Sequence, residues 1–296
     1  MRTEQLAAHR ARVVVGALLL AGTAAAISAA APVTAATATR AGPAGPRAPW
    51  MVGGDLYGVA SASAADAWAV GSTGSDGSTK TLIVHWGGKT WTRVPSPNPG
   101  GKGSGDFLNA VAAVSAADAW AVGAGLDTGE SVIVHWNGRT WKHVPSPSPD
   151  RSGGVPAGNI LYGVAVISAG NAWAVGDGFS PSVLSQTLIE HWNGKTWKRV
   201  PSPSPSLSEY GDTLYGVAAT SARYAWAVGE ISTGNDASKT MILHWNGKTW
   251  RQVPSPGREN GAQFYGVAAT SDRGAWAVGF TFEQTLIAHW NGAAWK

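Results

Sequence analysis

The chain has 296 residues, sixteen tryptophans, no cysteine and a formal net charge of +4. Without cysteine there is no disulfide, thiol nucleophile or thiolate metal ligand, so stability has to come from burial, which a chain of this length can supply. The near-balanced charge is not the dense basic surface that holds nucleic acid, and nucleic acid is excluded as a partner.

The N-terminus carries Arg2, Arg10 and Arg12, passes into an apolar run from Val13 to Leu20, and fades into small residues through Ala38. That order is the pattern of a secretory signal peptide, assigned to residues 1–36, and it predicts a secreted, extracellular protein. Cleavage after Ala30, Ala35 or Ala36 would each suit the small-residue requirement. The strongly apolar stretch is well short of the ~20 residues that cross a bilayer, so no membrane span is expected after cleavage. Loss of three arginines and one glutamate leaves 19 basic and 17 acidic residues. Residues 37–49 are mostly Ala, Gly, Pro and Arg, with little to bury, and read as a disordered lead-in.

From residue 50 to residue 296 the chain reads as one domain, because a single phrase returns five times: LYGVASASAADAWAVG, LNAVAAVSAADAWAVG, LYGVAVISAGNAWAVG, LYGVAATSARYAWAVG and FYGVAATSDRGAWAVG. Trp68, Trp120, Trp173, Trp226 and Trp276 mark it at spacings of 52, 53, 53 and 50 residues. A second phrase follows each time, HWGGKTW, HWNGRTW, HWNGKTW, HWNGKTW and HWNGAAW, so that every tryptophan except Trp50 sits at one of three repeat positions. The repeats run over about 55–105, 106–158, 159–211, 212–262 and 263–296.

Each copy holds four short apolar runs between turn residues; in the fourth these are Leu214 to Thr220, Ala225 to Glu230, Thr240 to Trp245 and Thr249 to Pro254. Runs rich in Val, Ile, Thr and Trp, bounded by Gly, Asn, Ser and Pro, are strand signals. Four strands at a period near 50 predict an all-β fold, a five-bladed β-propeller of four-stranded blades. A lone four-stranded sheet could not bury two tryptophan-bearing faces without neighbours. The last copy stops as its fourth strand begins, and the expected closure is a ring completed by an N-terminal strand around Trp50, Met51 and Val52, the alternative being that more blades follow.

In such a meander the turns after the first and third strands share one end, and the turns after the second strand share the other end with the interblade loops. The first kind is uniform, as in SAADA and NGKT; the second differs in every copy, as in STGSDGSTK and ISTGNDASK. The variable loops therefore lie on one face, which is the expected recognition surface.

The NGKTW phrase resembles the Asp-box turn of sialidase-type propellers at Gly88, Thr90 and Trp91, Gly138, Thr140 and Trp141, Gly194, Thr196 and Trp197, and Gly247, Thr249 and Trp250. The Asp position of that box is held by Trp86, Trp136, Trp192, Trp245 and Trp290. In that family the box is a structural hairpin, so the resemblance implies fold and not sialidase chemistry. More broadly, WAVG with HWNGxxW resembles secreted actinobacterial propeller repeats.

His85, His135, His191, His244 and His289 recur on the third strand, too far apart to converge on a metal; a buried imidazole bonded to the neighbouring blade is the expected role. The sharper candidates are Asp55, Asp106, Asn159, Asp212 and Gln263, each just before an innermost strand. A ring of such oxygens at the mouth of a central channel would suit calcium or sugar hydroxyls, although Gly-Asp and Gly-Asn pairs are also ordinary turn chemistry. Tyr57, Tyr162, Tyr215 and Tyr265, with Asn109 breaking the series, follow and would line the channel or a blade interface. No catalytic constellation stands out, since Asp55, Asp106 and Asp212 are equivalent positions and an acid and a base need unequal surroundings.

The reading is a monomeric, secreted, non-catalytic binding or scaffold protein for extracellular or cell-wall carbohydrate, with a protein partner also conceivable. A glycan-cleaving hydrolase with central carboxylates and a purely structural surface protein are the alternatives.

Overall fold

A computed structural model describes residues 53–74, 79–101, 105–147, 158–180, 183–206, 211–234, 237–257, 261–282 and 284–296. The expected signal peptide, lead-in and closing strand at Trp50 to Val52 lie outside the described residues. Among the described residues there is no helix.

The strands form five antiparallel meanders. The first blade is β1 (Asp55–Ser63), β2 (Asp66–Thr73), β3 (Lys80–Trp86) and β4 (Trp91–Val94). The second is β5 (Asp106–Ser115), β6 (Asp118–Gly125), β7 (Ser131–Trp136) and β8 (Trp141–His143), and the third is β9 (Gly158–Ser168), β10 (Asn171–Ser180), β11 (Val183–Trp192) and β12 (Trp197–Arg199). The fourth is β13 (Asp212–Ser221), β14 (Tyr224–Gly234), β15 (Ala237–Trp245) and β16 (Trp250–Gln252). The fifth holds β17 (Gln263–Ser271), β18 (Gly274–Thr281) and β19 (Gln284–Trp290), and begins a fourth strand through a Trp290 to Trp295 bridge. The chain is thus an all-β assembly of propeller blades with four, four, four, four and three strands.

Tryptophan joins each blade to the next. The buried Trp68 meets Trp136 at 4.8 Å and the edge of Trp141 at 5.1 Å. Trp120 meets Trp192 and Trp197, Trp173 meets Trp245 and Trp250, and Trp226 meets Trp290 and Trp295, all between 4.8 and 5.2 Å. One blade supplies the WAVG tryptophan; the following blade supplies both tryptophans of its HWNGxxW phrase. Burying one such ring, about 200 Å², favours the interface by about 5 kcal/mol at ~25 cal/mol per Å². The HWNGxxW hairpin closes because the side-chain oxygens of Asn137, Asn193, Asn246 and Asn291 accept the backbone N–H groups two and three residues on.

The innermost strands are bulged at one repeat position. Register shifts leave Tyr57, Asn109, Tyr162, Tyr215 and Tyr265 as the extra residues of β1, β5, β9, β13 and β17. The bulge presses a backbone carbonyl onto the glycine of WAVG. A Cβ on Gly229 would stand 1.9 Å from the Thr213 oxygen, and one on Gly71, Gly123, Gly176 or Gly279 would fare no better, so the repeat tolerates only glycine there.

Successive inner strands touch from β1 to β5, β5 to β9, β9 to β13 and β13 to β17. No comparable contact joins β17 to β1 among the described residues. Trp276 is 52% exposed and Ile287 63%, whereas the equivalent residues of the other four blades are at 0–1%. At the other end of the arc Leu56 is 44% and Val59 53% exposed.

Candidate functional site

The five ring candidates begin the inner strands as expected, but they do not share one environment. Asp106 and Asp212 are fully buried, and each holds the linker that precedes it. Asp106 Oδ2 accepts the Gly100 N–H at 2.9 Å; Asp212 Oδ2 accepts the Ser206 N–H at 2.9 Å and the Ser204 hydroxyl at 2.8 Å. Asn159 is buried and donates to the Pro147 carbonyl at 3.1 Å. Asp55 is exposed and Gln263 half-buried. The PSP segments of the linkers are fixed in turn by their first serine: Ser96, Ser146, Ser202 and Ser255 pair at 2.6–2.7 Å with Thr81, Ser131, Thr187 and Thr240. Asp106, Asn159 and Asp212 therefore carry linker contacts, which is the turn chemistry their local sequence allows.

The bulge aims a second ring of side chains. In the third to fifth blades the extra residues touch one another: Tyr162 lies 5.5 Å from Tyr215 and Tyr215 lies 4.9 Å from Tyr265, ring centre to ring centre. The row continues to Phe280 at 5.5 Å. In three blades the bulged tyrosine also reaches the residue that follows WAVG, as Tyr265 does with Phe280. Tyr57 Oη lies 3.2 Å from the Ser72 hydroxyl, and Tyr215 Oη donates to Glu230 Oε1 at 2.6 Å. That position holds Ser72, Ala124, Asp177, Glu230 and Phe280, so two adjacent blades carry a carboxylate there, and Glu230 is the one bonded to the aromatic row.

Asp177 and the Asp212 backbone meet at Ser185, in a polar cluster between the third and fourth blades. The Ser185 hydroxyl lies 2.9 Å from both Asp177 Oδ2 and the Asp212 carbonyl, with one proton available to either, and 3.4 Å from the Thr213 hydroxyl. Burial raises the Asp212 pKa, its hydrogen bonds from Ser206 and Ser204 oppose that, and the Glu230 charge adds to it. Burial and then Glu230 push the Tyr215 hydroxyl well above the ordinary tyrosine range and Tyr265 up to about 12. Tyr215 therefore stays a donor to Glu230 at any physiological pH. Asp177 is buried and Glu230 half-buried, so the two acids have unequal surroundings. Aromatic faces beside hydrogen-bonding carboxylates are what a site for a polyol with apolar C–H faces requires.

The repeated histidines differ from expectation. Each stacks on the WAVG tryptophan of its own blade, at 4.1–4.4 Å, and is half-buried. Nε2 of His85, His135 and His191 pairs with Asp66, Asp118 and Asn171 at the start of the same blade's second strand, not with the neighbouring blade. The reason is strand register, which sets the histidine beside the tryptophan one strand inward. Burial lowers the pKa of His191 and His244. No group of three or more His, Asp and Glu able to hold a metal ion occurs among the described residues. A shallow cavity of about 350 Å³ on the first blade, lined by Lys80, Arg93, Ser96 and Asn98, is separate from the tyrosine row.

Asp177 and Glu230 are not marked by the repeat itself, because they stand at a position that varies between copies. A signal existed: directly after the constant WAVG, the residue changes from Ser to Ala, Asp, Glu and Phe.

No family model and no curated protein matches the chain. Among solved structures it is similar to the GH74 xyloglucanase from Xanthomonas campestris, with TM-score 0.49 and 15% identity over 81% of this chain and 38% of that one. It is also similar to a protein of unknown function from Dyadobacter fermentans, with TM-score 0.48 and 14% identity over 79% and 77% of the two chains. The NanB sialidase from Streptococcus pneumoniae follows, with TM-score 0.42 and 12% identity over 68% and 32%. The chain thus spans well under half the length of the xyloglucanase and of the sialidase. Likenesses at this level say nothing about chemistry.

Proposed function

We propose that the protein is exported and binds extracellular or cell-wall carbohydrate without cleaving it, at the row formed by Tyr162, Tyr215 and Tyr265 with Glu230 and Asp177. The observation that carries this reading is the Tyr215 to Glu230 hydrogen bond, which fixes a carboxylate beside three adjoining aromatic rings. The half-buried rings of Tyr162 and Tyr265 take the C–H surface of a pyranose, with Tyr215 buried between them, and the carboxylate oxygens left over accept its hydroxyls. Asp106, Asn159 and Asp212 position the strands that bear the row.

A hydrolase remains the second reading for one reason: Asp177 and Glu230 are acids of unequal burial on adjacent blades, as acid and base roles demand. The test is a glycan and cell-wall-polymer binding screen of the processed protein, with and without calcium, paired with an assay for released reducing ends. Saturable binding without product, weakened about 10-fold by Tyr162→Ala and by Glu230→Gln, is the expected result. Product release abolished by Asp177→Asn or Glu230→Gln would establish the hydrolase. Absence of binding to any polymer would sink both readings.

A further inference from the structure

The two ends of the arc are two halves of one contact. At the four internal interfaces the outgoing face of a blade presents a WAVG tryptophan and a third-strand isoleucine: Trp68 with Ile83, Trp120 with Ile133, Trp173 with Ile189 and Trp226 with Ile242. The incoming face of the next blade covers them with its two HWNGxxW tryptophans and two inner-strand residues: Leu108 and Val111, Leu161 and Val164, Leu214 and Val217, then Phe264 and Val267. On the fifth blade the outgoing pair, Trp276 and Ile287, stands in solvent. On the first blade the incoming pair, Leu56 and Val59, does the same, and Trp91 is half-buried where its counterparts Trp141, Trp197, Trp250 and Trp295 are buried. Contiguous apolar faces of this kind mark interaction surfaces.

We infer that the fifth blade is the docking surface for the first blade of a second copy of this chain, in a head-to-tail contact that continues the internal blade-to-blade interface. Leu56 and Val59 of the second copy cover Ile287 and the inner strand, and its Trp86 and Trp91 meet Trp276 as Trp290 and Trp295 meet Trp226. Continuity with the four internal interfaces carries the choice of occupant: the complementary half is present and exposed in the same chain. The contact is heterologous, because the two participating surfaces differ, so it adds copies end to end and closes only where the rotation permits. This departs from the monomer expected from sequence, and it is independent of what the tyrosine row binds.

The test uses two blocked variants of the full processed chain. One carries Trp276→Glu and Ile287→Glu; the other carries Leu56→Glu and Val59→Glu. All four residues are exposed, so both variants should keep the wild-type circular dichroism and melting behaviour. By sedimentation velocity the wild type should grow in mass with concentration, each variant alone should be a monomer, and their mixture should stop at a dimer, since it has one working junction. Trp276→Ala alone should weaken association about 30-fold or more, as for a central aromatic hot spot. A wild type that stays monomeric at every concentration overturns the inference, and protection of Trp276 from acrylamide in that monomer would mean that the chain closes on itself. Association of either blocked variant by itself, or failure of the mixture to pair, also overturns it.

Discussion

Trp226 and Trp276 stand in consecutive copies of the same phrase, AWAVG, each stacked on a histidine of its own blade, yet one is fully buried and the other half exposed. The difference lies entirely in the next blade. Trp226 is roofed by Trp290 and Trp295, and Trp276 has no described blade after it. Side chains in such a repeat are thus core or surface by virtue of the neighbouring repeat, and stability is a sum of blade and interface contributions.

The largest effect that would break this comparison is truncation of the two tryptophans. Trp226→Ala should cost about 3–5 kcal/mol in urea denaturation, whereas Trp276→Ala in the monomer should cost about 1 kcal/mol or less. Equal costs would mean that the fifth blade is covered in solution.

Gly229→Ala probes the bulge that the buried blades share. A methyl group 1.9 Å from the Thr213 carbonyl has no room, and a loss of about 3 kcal/mol is expected, with the Tyr215 to Glu230 pair disturbed as well.

Glu190 sharpens the comparison from inside an interface. It takes the place that Val134 and Leu243 hold in neighbouring blades, is fully buried, and is pushed from 4.5 to about 8 by that burial, with Arg199 opposing. Because the folded protein binds this proton more tightly than the unfolded chain, stability is fully present below pH 4.5 and falls as pH rises to about 8. Thermal melts should therefore drop across that window in the wild type. Glu190→Val should flatten the profile and gain about 1–4 kcal/mol at the alkaline end.

The smallest effect is at the hairpins. Asn193→Ala removes the acceptor of two backbone N–H groups and should cost about 1 kcal/mol, while the first blade, where Gly87 stands at this position, shows that the hairpin forms without it.

The blades were legible in the sequence because their signals are local and repeated: period, strand composition, and Asn-Gly turns. The tryptophan contacts followed from the same repetition. The direction of the polar side chains was not legible. Asp106 and Asp212 occupy the expected position, but only the path of the linker turns them to Gly100 and Ser206. The histidine partners depend on strand register, and the meeting of Tyr162, Tyr215 and Tyr265 depends on a bulge that adds one residue to each inner strand. Glu230 gains significance only once that bulge brings Tyr215 to the residue after WAVG.

Hydroxyl-radical footprinting of the five WAVG tryptophans, on protein kept monomeric by Leu56→Glu and Val59→Glu, tests the central claim most directly. The account predicts rapid oxidation of Trp276 and protection of Trp68, Trp120, Trp173 and Trp226. Protection of Trp276 to the same degree as Trp226 would contradict it.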